Sequence, residues 1–145
     1  SSVPEIERTK SILMKNSLDV MGWDVKENGL YVIFSKDIPA IVEKWLKLNV
    51  ASFLDGHGLS MKEIKHFIAH PGGKKVLDAY VSSLCLDPEM VDVSLSVLRN
   101  FGNMSSATIL FVLKRFLPLG KRGDLGLCTA LGPGFSSEFL LLRWT

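Results

Sequence analysis

His70 is the first residue whose type and setting could support catalysis. It follows an apolar run at residues 66–69 and precedes Pro71-Gly72-Gly73, so a rigid turn at the exit of a predicted strand would hold it. An imidazole can donate or accept a proton near neutral pH, and small neighbours let a ligand approach closely. A structural histidine bonded to a carbonyl oxygen explains the same pattern, and for His70 alone that interpretation is favoured.

Asn103 is the second candidate, and its setting also has two interpretations. It follows Gly102 and precedes Met104-Ser105-Ser106, ahead of a strongly apolar helical stretch. The commonest role at such a position is a helix N-cap that accepts from the amides of the first turn. The carboxamide could instead donate to a developing oxyanion or to a thioester carbonyl, which is how an enzyme stabilises an enolate.

Other reactive residue types have ordinary settings. Gly132-Pro133-Gly134 predicts a turn, or a backbone element that lines a cavity. His57 and His66 are predicted to be surface or packing residues. Cys85 and Cys128 lie in apolar stretches without metal-ligand spacing, and we expect reduced core cysteines, Cys85 within a helix and Cys128 within a strand. No metal site, P-loop, dinucleotide fingerprint or hydrolase elbow is predicted.

The elements that must position His70 and Asn103 alternate between strands and helices. Periodicity and turn residues predict strands over 11–20, 29–36, 66–69, 125–131 and 139–144, and helices over 41–54, 74–86, 88–99 and 105–117. This alternation predicts an α/β domain whose sheet is covered by helices on at least one face. Both candidates are expected where a strand ends and a helix begins, because reactive groups gather there.

Composition limits the possible classes of protein. The chain has 145 residues, 47% apolar and 22% charged, which fits a single globular domain over residues 1–145. Its 17 basic and 15 acidic residues are interspersed, so neither nucleic-acid binding nor a membrane anchor is indicated. Without a signal peptide or a membrane-spanning run, a cytoplasmic location is expected. The abrupt start suggests a piece of a longer protein.

Three segments, taken in order, resemble the signatures of chalcone synthases and other type III polyketide synthases. They are Ile68-Ala69-His70-Pro71-Gly72-Gly73, Gly102-Asn103-Met104-Ser105-Ser106-Ala107 and Gly132-Pro133-Gly134. The resemblance extends upstream to Lys36-Asp37-Ile38-Pro39 and to Pro4-Glu5-Ile6-Glu7, and so covers the whole chain. Three ordered motifs are far more specific than one, and they make a catalytic His70 the stronger interpretation.

The resemblance implies the C-terminal half of a thiolase-like fold, a mixed sheet packed with helices. It implies a homodimeric acyltransferase that uses acyl-CoA and malonyl-CoA, with coenzyme A thioesters as substrates and no cofactor or metal. His70 and Asn103 match two members of a Cys-His-Asn triad, in which His70 keeps the cysteine as a thiolate and both residues bind the thioester oxygen. The nucleophile belongs to the N-terminal half, and neither Cys85 nor Cys128 matches it, so the isolated chain is expected to be inactive.

Further positions carry over from the same resemblance. Ser105 matches a residue of the initiation cavity, Lys75 a position near the coenzyme A arm, and Gly132 and Pro133 the border of the cyclisation pocket. Val32 stands where plant enzymes carry a gatekeeping phenylalanine, and Ala130-Leu131 stand where they carry Gly-Phe. The resemblance implies polyketide products such as pyrones, resorcinols or chalcone-like compounds. Aliphatic walls suit a long alkyl starter better than a phenylpropanoid, so we favour a fatty acyl-CoA starter and pyrone or resorcinol products among these.

Two alternatives remain open from the sequence. A ketoacyl synthase III or HMG-CoA synthase relative would share the fold, although Pro71-Gly72-Gly73 argues against the first, which carries Gln-Ala-Asn there. A non-catalytic thiolase-like module, which binds a partner half or a thioester, is favoured by the missing cysteine. We also expect the isolated chain to dimerise or aggregate, because its partner-facing surface would be exposed.

Overall fold

The computed structural model describes residues 3–145. Its elements follow in this order: β1 (Pro4–Leu13), β2 (Met21–Lys26), β3 (Gly29–Phe34), α1 (Ile38–Ile41), a π-helical segment (Val42–Leu46), α2 (Lys47–Asp55), β4 (Ile64–Ala69), α3 (Lys74–Leu84), a 3₁₀ turn (Pro88–Val91), α4 (Asp92–Phe101), α5 (Ala107–Phe116), β5 (Leu125–Gly132) and β6 (Ser136–Trp144).

Four of these strands form one mixed sheet in the order β1-β6-β5-β4. β6 is antiparallel to both β1 and β5, whereas β4 and β5 are parallel. A parallel pair needs a long crossover, and helices α3, α4 and α5 supply it between β4 and β5. The predicted mixed sheet packed with helices is confirmed.

Helices cover both faces of this sheet, as the alternation of side chains along the strands requires. Phe67, Leu127 and Leu141 are buried on the face that packs against α2 and α3. Their neighbours in the chain point the other way, so that Ile68 and Leu142 pack with residues of α4 and α5. Because β4 is apolar on both faces, its carboxyl end is held rigidly between two helical layers.

Strands β2 and β3 form a separate hairpin outside the main sheet. Met21 pairs with Phe34 and Trp23 pairs with Val32, so these four side chains lie on one face of the hairpin. The same alternation puts Val25 and Leu30 on that face, and all but Met21 are exposed.

Two sequence expectations about these elements are wrong. The first strand runs from Pro4 to Leu13 instead of over 11–20, because its partner β6 sets its extent and its own side chains are mostly exposed. Asn103 does not follow a strand, since it lies in the loop between α4 and α5. The other predicted strands and helices are confirmed, with β2 as an additional strand. No helix in residues 3–145 is long and apolar enough to cross a bilayer.

Candidate active site

A cavity of about 480 Å³ lies between the β2–β3 hairpin, the end of β4, α3, the loop before α5 and the β5–β6 turn. Its volume falls in the usual range of small-molecule sites. Seven of the eight residues that the sequence analysis singled out contribute to its wall: His70, Asn103, Val32, Ser105, Leu131, Gly132 and Pro133. The eighth, Lys75, does not.

His70 is held at the exit of β4 by the sheet itself. Its backbone N–H donates to the carbonyl of Thr129 in β5 at 2.9 Å, which continues the parallel pairing of the two strands by one residue. Its Nε2 lies 2.9 Å from the carbonyl oxygen of Ser105. A carbonyl oxygen can only accept, so Nε2 carries the hydrogen and Nδ1 of a neutral ring is the acceptor.

Two hydrogen bonds, one at the nitrogen and one at the oxygen of its carboxamide, hold the side chain of Asn103. Its Nδ2 donates to the carbonyl of Gly72 at 3.2 Å, and its Oδ1 accepts from the backbone N–H of Ser105 at 3.0 Å. It is therefore not the N-cap of α5, which begins at Ala107 directly after Ser106. Nδ2 has two hydrogens, and one remains for a ligand once Gly72 is bonded.

The loop that connects these bonds has an uncommon backbone. Gly102 ends α4 with φ 73° and ψ −171°, a region that residues other than glycine essentially do not adopt. Ser105 has φ 59°, in the left-handed region, which is uncommon for a residue with a side chain. Ser105 is also the residue that joins His70, through its carbonyl, to Asn103, through its N–H. Strain of this kind persists where surrounding contacts over-determine the conformation.

The rest of the wall is largely apolar and includes residues that the sequence analysis missed. Trp23 lies opposite Val32 across the hairpin, and Phe34 lies opposite Met21. Because β2 was not predicted, nothing in the sequence connected Trp23 with Val32. An aromatic ring thus stands directly beside Val32 in the cavity wall.

Two further wall residues carry polar groups. Glu138 is an exposed residue of β6, and one of its carboxylate oxygens accepts from the hydroxyl of Ser11 in β1. Tyr80, on α3, is fully buried. The spacing of Val76 and Tyr80 by four residues puts both on the cavity side of α3, which is the one signal in the sequence that could have found Tyr80.

Neither cysteine contributes to the wall of this cavity. Cys85 is exposed and forms the C-cap of α3 with φ 52°, so the expectation of a core cysteine within a helix is wrong. Cys128 is buried in β5, as expected, and burial raises the pKa of its thiol to about 12. A thiol with so high a pKa is protonated near neutral pH and is a poor nucleophile.

The other histidines have structural surroundings. His66 is buried in β4, with its ring 4.8 Å from that of Trp144 and its Nε2 2.9 Å from a carboxylate oxygen of Asp124. The backbone N–H of Lys121 and the His66 ring lower the pKa of Asp124 below its ordinary value. His57 is exposed and packs edge-on against Phe53. Both therefore serve in packing, as the sequence indicated.

The helix-covered mixed sheet, with a histidine and an asparagine at one cavity, makes this an α/β domain of the thiolase-like kind that the sequence motifs imply. The family profile described as "Chalcone and stilbene synthases, C-terminal domain" matches residues 5–145. The chain belongs to this family.

Relatives and solved structures agree with that assignment. A protein of Bacillus subtilis (strain 168), provisionally named a chalcone synthase, is 57% identical over 97% of this chain and 39% of its own length. The 1,3,6,8-tetrahydroxynaphthalene synthase of Streptomyces peucetius subsp. caesius is 36% identical over 97% of this chain and 38% of its own. The crystal structure of 1,3,6,8-tetrahydroxynaphthalene synthase from Streptomyces coelicolor A3(2), a bacterial type III polyketide synthase, superposes with a TM-score of 0.92 at 30% identity, over 99% of this chain and 42% of that one. The chain thus spans about two fifths of the length of these relatives.

Proposed function

We propose that this chain is the C-terminal part of a type III polyketide synthase. The full protein is then an acyltransferase that condenses an acyl-CoA starter with malonyl-CoA by decarboxylative Claisen condensation. The observation that carries the proposal is that His70 and Asn103, which lie in separate segments, meet at one apolar cavity through the backbone of Ser105.

The residue types at the cavity fit this chemistry. Loss of carbon dioxide from a malonyl thioester leaves its electron pair in an enolate, whose negative charge resides largely on the thioester oxygen. Donors placed on that oxygen stabilise the charge, and an imidazole N–H and a carboxamide N–H are both suitable. The enolate carbon then attacks the carbonyl of an acyl group held on a cysteine, and the carbon–sulfur bond breaks to release the thiolate. In the proposed enzyme the N-terminal part supplies that cysteine.

His70 has to change partners during such a cycle. Its Nε2–H is bonded to the carbonyl of Ser105, so it must turn from that carbonyl, or share its hydrogen, in order to pair with a thiolate or a thioester oxygen. Asn103 can act without moving, because its second Nδ2 hydrogen is available. Asn103 is accordingly the preorganised donor, and His70 is the mobile one.

The cavity wall suggests which starters would fit. Val32, Leu131 and Ile109 give an aliphatic surface, which favours an alkyl chain by shape and apolar contact. Trp23 adds one aromatic ring to the same surface. We therefore retain a fatty acyl-CoA starter and pyrone or resorcinol products, with Ser105, Gly132 and Pro133 bordering the growing chain.

Lys75 is our candidate for binding the coenzyme A arm. It lies in the first turn of α3, behind the loop that follows His70, and its side chain is exposed. The Nζ of its neighbour Lys74 lies 2.7 Å from a carboxylate oxygen of Asp78, whereas Lys75 forms no salt bridge within residues 3–145. An unpaired ammonium group can attract a phosphate as a point charge. A homodimer and a cytoplasmic location complete the proposal.

A second candidate is a module that binds thioesters without turning them over. It is favoured for the isolated chain by one observation: both cysteines lie outside the cavity, one of them with a raised pKa. The two candidates make opposite predictions for the full-length protein, because only the synthase releases product.

The test is product analysis by mass spectrometry after incubation with malonyl-CoA and a series of acyl-CoA starters. The full-length protein should release polyketides, and His70→Ala should lower their rate of formation by about 10²–10⁴-fold. His57→Ala is the matched control, because His57 is exposed and outside the cavity. The isolated chain should release none. Product from the isolated chain, or an unchanged rate in His70→Ala, would contradict the proposal.

A further inference from the structure

A turn at the opposite end of the sheet from the cavity carries exposed leucines between basic residues. We call residues 114–122, which include the last turn of α5 and lead to β5, the basic turn. In it Leu117 and Leu119 are 38% and 52% exposed, and Pro118 between them is exposed as well. The basic residues that flank them on both sides are Lys114, Arg115, Lys121 and Arg122. Apolar and basic side chains thus occur together at the surface of one short segment.

The surrounding packing holds the two leucines outward. Phe116, directly before them, is buried and fills the core position of this segment. Gly120 lies against the indole of Trp144, where a Cβ at residue 120 would come within 2.1 Å of the ring. The backbone N–H groups of Leu119 and Gly120 both donate to the carbonyl of Phe116, at 3.0 and 3.3 Å. The exposure of the leucines is therefore a fixed feature of the domain.

Positive charge surrounds these leucines, and little of it is compensated. No acidic residue occurs between Asp92 and Asp124, whereas that stretch has five basic residues. Asp124 is already engaged, since it accepts from the backbone N–H of Lys121 at 2.9 Å and lies 2.9 Å from Nε2 of His66. Neither Lys121 nor Arg122 forms a salt bridge within residues 3–145. Their charged groups are therefore available to an external anion.

An anionic lipid surface fits this combination of side chains better than a nucleic acid does. Lipid phosphates attract lysine and arginine, and the boundary between headgroups and acyl chains takes exposed leucine side chains out of water. Long basic side chains can keep their apolar stems beside the leucines while their charged ends reach the headgroups. A nucleic acid would use the charges alone and would leave Leu117 and Leu119 in water.

We propose that the basic turn docks on an anionic membrane surface, with its two exposed leucines among the headgroups and with Lys121 and Arg122 paired with lipid phosphates. The inference goes beyond the proposed synthase activity, because no residue of the basic turn lines the cavity. β5 separates the two, and its eight residues span roughly 20 Å. The expectation of no membrane contact rested on the balanced charge of the whole chain, whereas this contact rests on one local segment. It is reversible and adds to the cytoplasmic location proposed above.

The test measures cosedimentation of the full-length protein with lipid vesicles. One set of vesicles is phosphatidylcholine alone, and the other contains equal parts of phosphatidylcholine and phosphatidylglycerol. Two double variants remove the proposed contacts separately: Lys121→Glu with Arg122→Glu, and Leu117→Ser with Leu119→Ser. The matched control is Lys44→Glu with Leu48→Ser, because both residues are exposed on the helical segment between β3 and β4. Urea unfolding of each variant checks that its fold is intact.

We expect the wild type to bind the anionic vesicles and not the neutral ones, with a partition coefficient that falls as salt is added. The double glutamate variant should lose at least about tenfold in partition coefficient, and the double serine variant about tenfold. The control should stay within about twofold of the wild type.

Three results would overturn the inference: equal binding of the wild type to both kinds of vesicle, binding to neither, or undiminished binding by both variants of the basic turn. Each of them would assign the exposed leucines to a protein partner instead. Malonyl-CoA decarboxylation is measured alongside. Its absence in the wild type would refute the synthase proposal and leave the lipid contact standing.

Discussion

Replacing Asn103 tests the proposed oxyanion donor most directly, because two substitutions separate the loss of its hydrogen-bond donor from the effect of an added negative charge. Asn103→Ala removes the Nδ2 donor, and loss of one such donor costs about 10²–10³-fold in kcat, or about 2.7–4 kcal/mol. Asn103→Asp also removes the donor but keeps an oxygen that can accept from the backbone N–H of Ser105, at the 3.0 Å now spanned by Oδ1. Its second oxygen would meet the carbonyl of Gly72, which Nδ2 now approaches to 3.2 Å, and two acceptors repel each other.

The aspartate adds a negative charge beside the developing enolate. At a separation of about 4 Å that repulsion is about 1 kcal/mol in a water-like medium and about 4 kcal/mol at an effective dielectric constant of 20. Because Asn103 is exposed in this chain, the lower end applies unless the site closes around the substrate. We therefore expect Asn103→Asp to be slower than Asn103→Ala by at least about fivefold. Asn103→Ala loses both protein hydrogen bonds of the carboxamide and about 2 kcal/mol of stability, whereas Asn103→Asp loses only the bond to Gly72, about 1 kcal/mol, apart from the repulsion described above.

The assay is decarboxylation of malonyl-CoA by the full-length protein, followed as release of labelled carbon dioxide, with urea unfolding of each variant alongside. Asn100→Asp is the matched control: Asn100 donates to the carbonyl of Ser96 at 2.8 Å within α4 and lies outside the cavity wall. A rate for Asn103→Ala within tenfold of the wild type, or an Asn103→Asp variant as fast as Asn103→Ala, would refute an oxyanion at this position.

Two further predictions follow from the cavity wall and from the β4–β5 edge of the domain. Val32→Phe should narrow the cavity and shift the preference from long to short acyl starters by about tenfold in relative rate, as measured by mass spectrometry of the products. Val25→Phe is the control, because Val25 lies on the same face of the hairpin but outside the cavity wall, and it should leave the product profile unchanged. Equal profiles for the two variants would contradict the gatekeeper role of Val32. Asp124→Asn should remove one cause of the loss of folding stability at acidic pH. The pKa of Asp124 is lowered in the folded protein by the Lys121 amide and by His66, so its carboxylate stabilises the fold fully above its ordinary pKa of 3.8, and the contribution disappears as the pH falls through the lowered value. Urea midpoints should accordingly converge between wild type and variant on acidification, and a gap that stays constant with pH would disprove this.

Most of the elements could be predicted, because most have a local signal, whereas β2 was not predicted. The helix at α5 begins after a break at Gly102-Asn103 and is strongly apolar, and β4 is a continuous apolar run that ends at Pro71. The first strand was misplaced because a long ladder with β6, formed by residues more than a hundred positions away, determines its extent. Local patterns contain no information about such a partner.

The sequence by itself determined the family, the α/β class and seven residues of the wall of the candidate site, since residue types in ordered motifs are properties of the chain. Only the tertiary structure decided which partners those residues have. In the structure, Nε2 of His70 donates to the carbonyl of Ser105. Asn103 donates to the carbonyl of Gly72 and does not cap a helix, and Trp23 pairs with Val32 across the hairpin. The physical reason is that hydrogen bonds and cavity walls form between segments far apart in the chain, and their geometry depends on packing of the whole sheet and its helices.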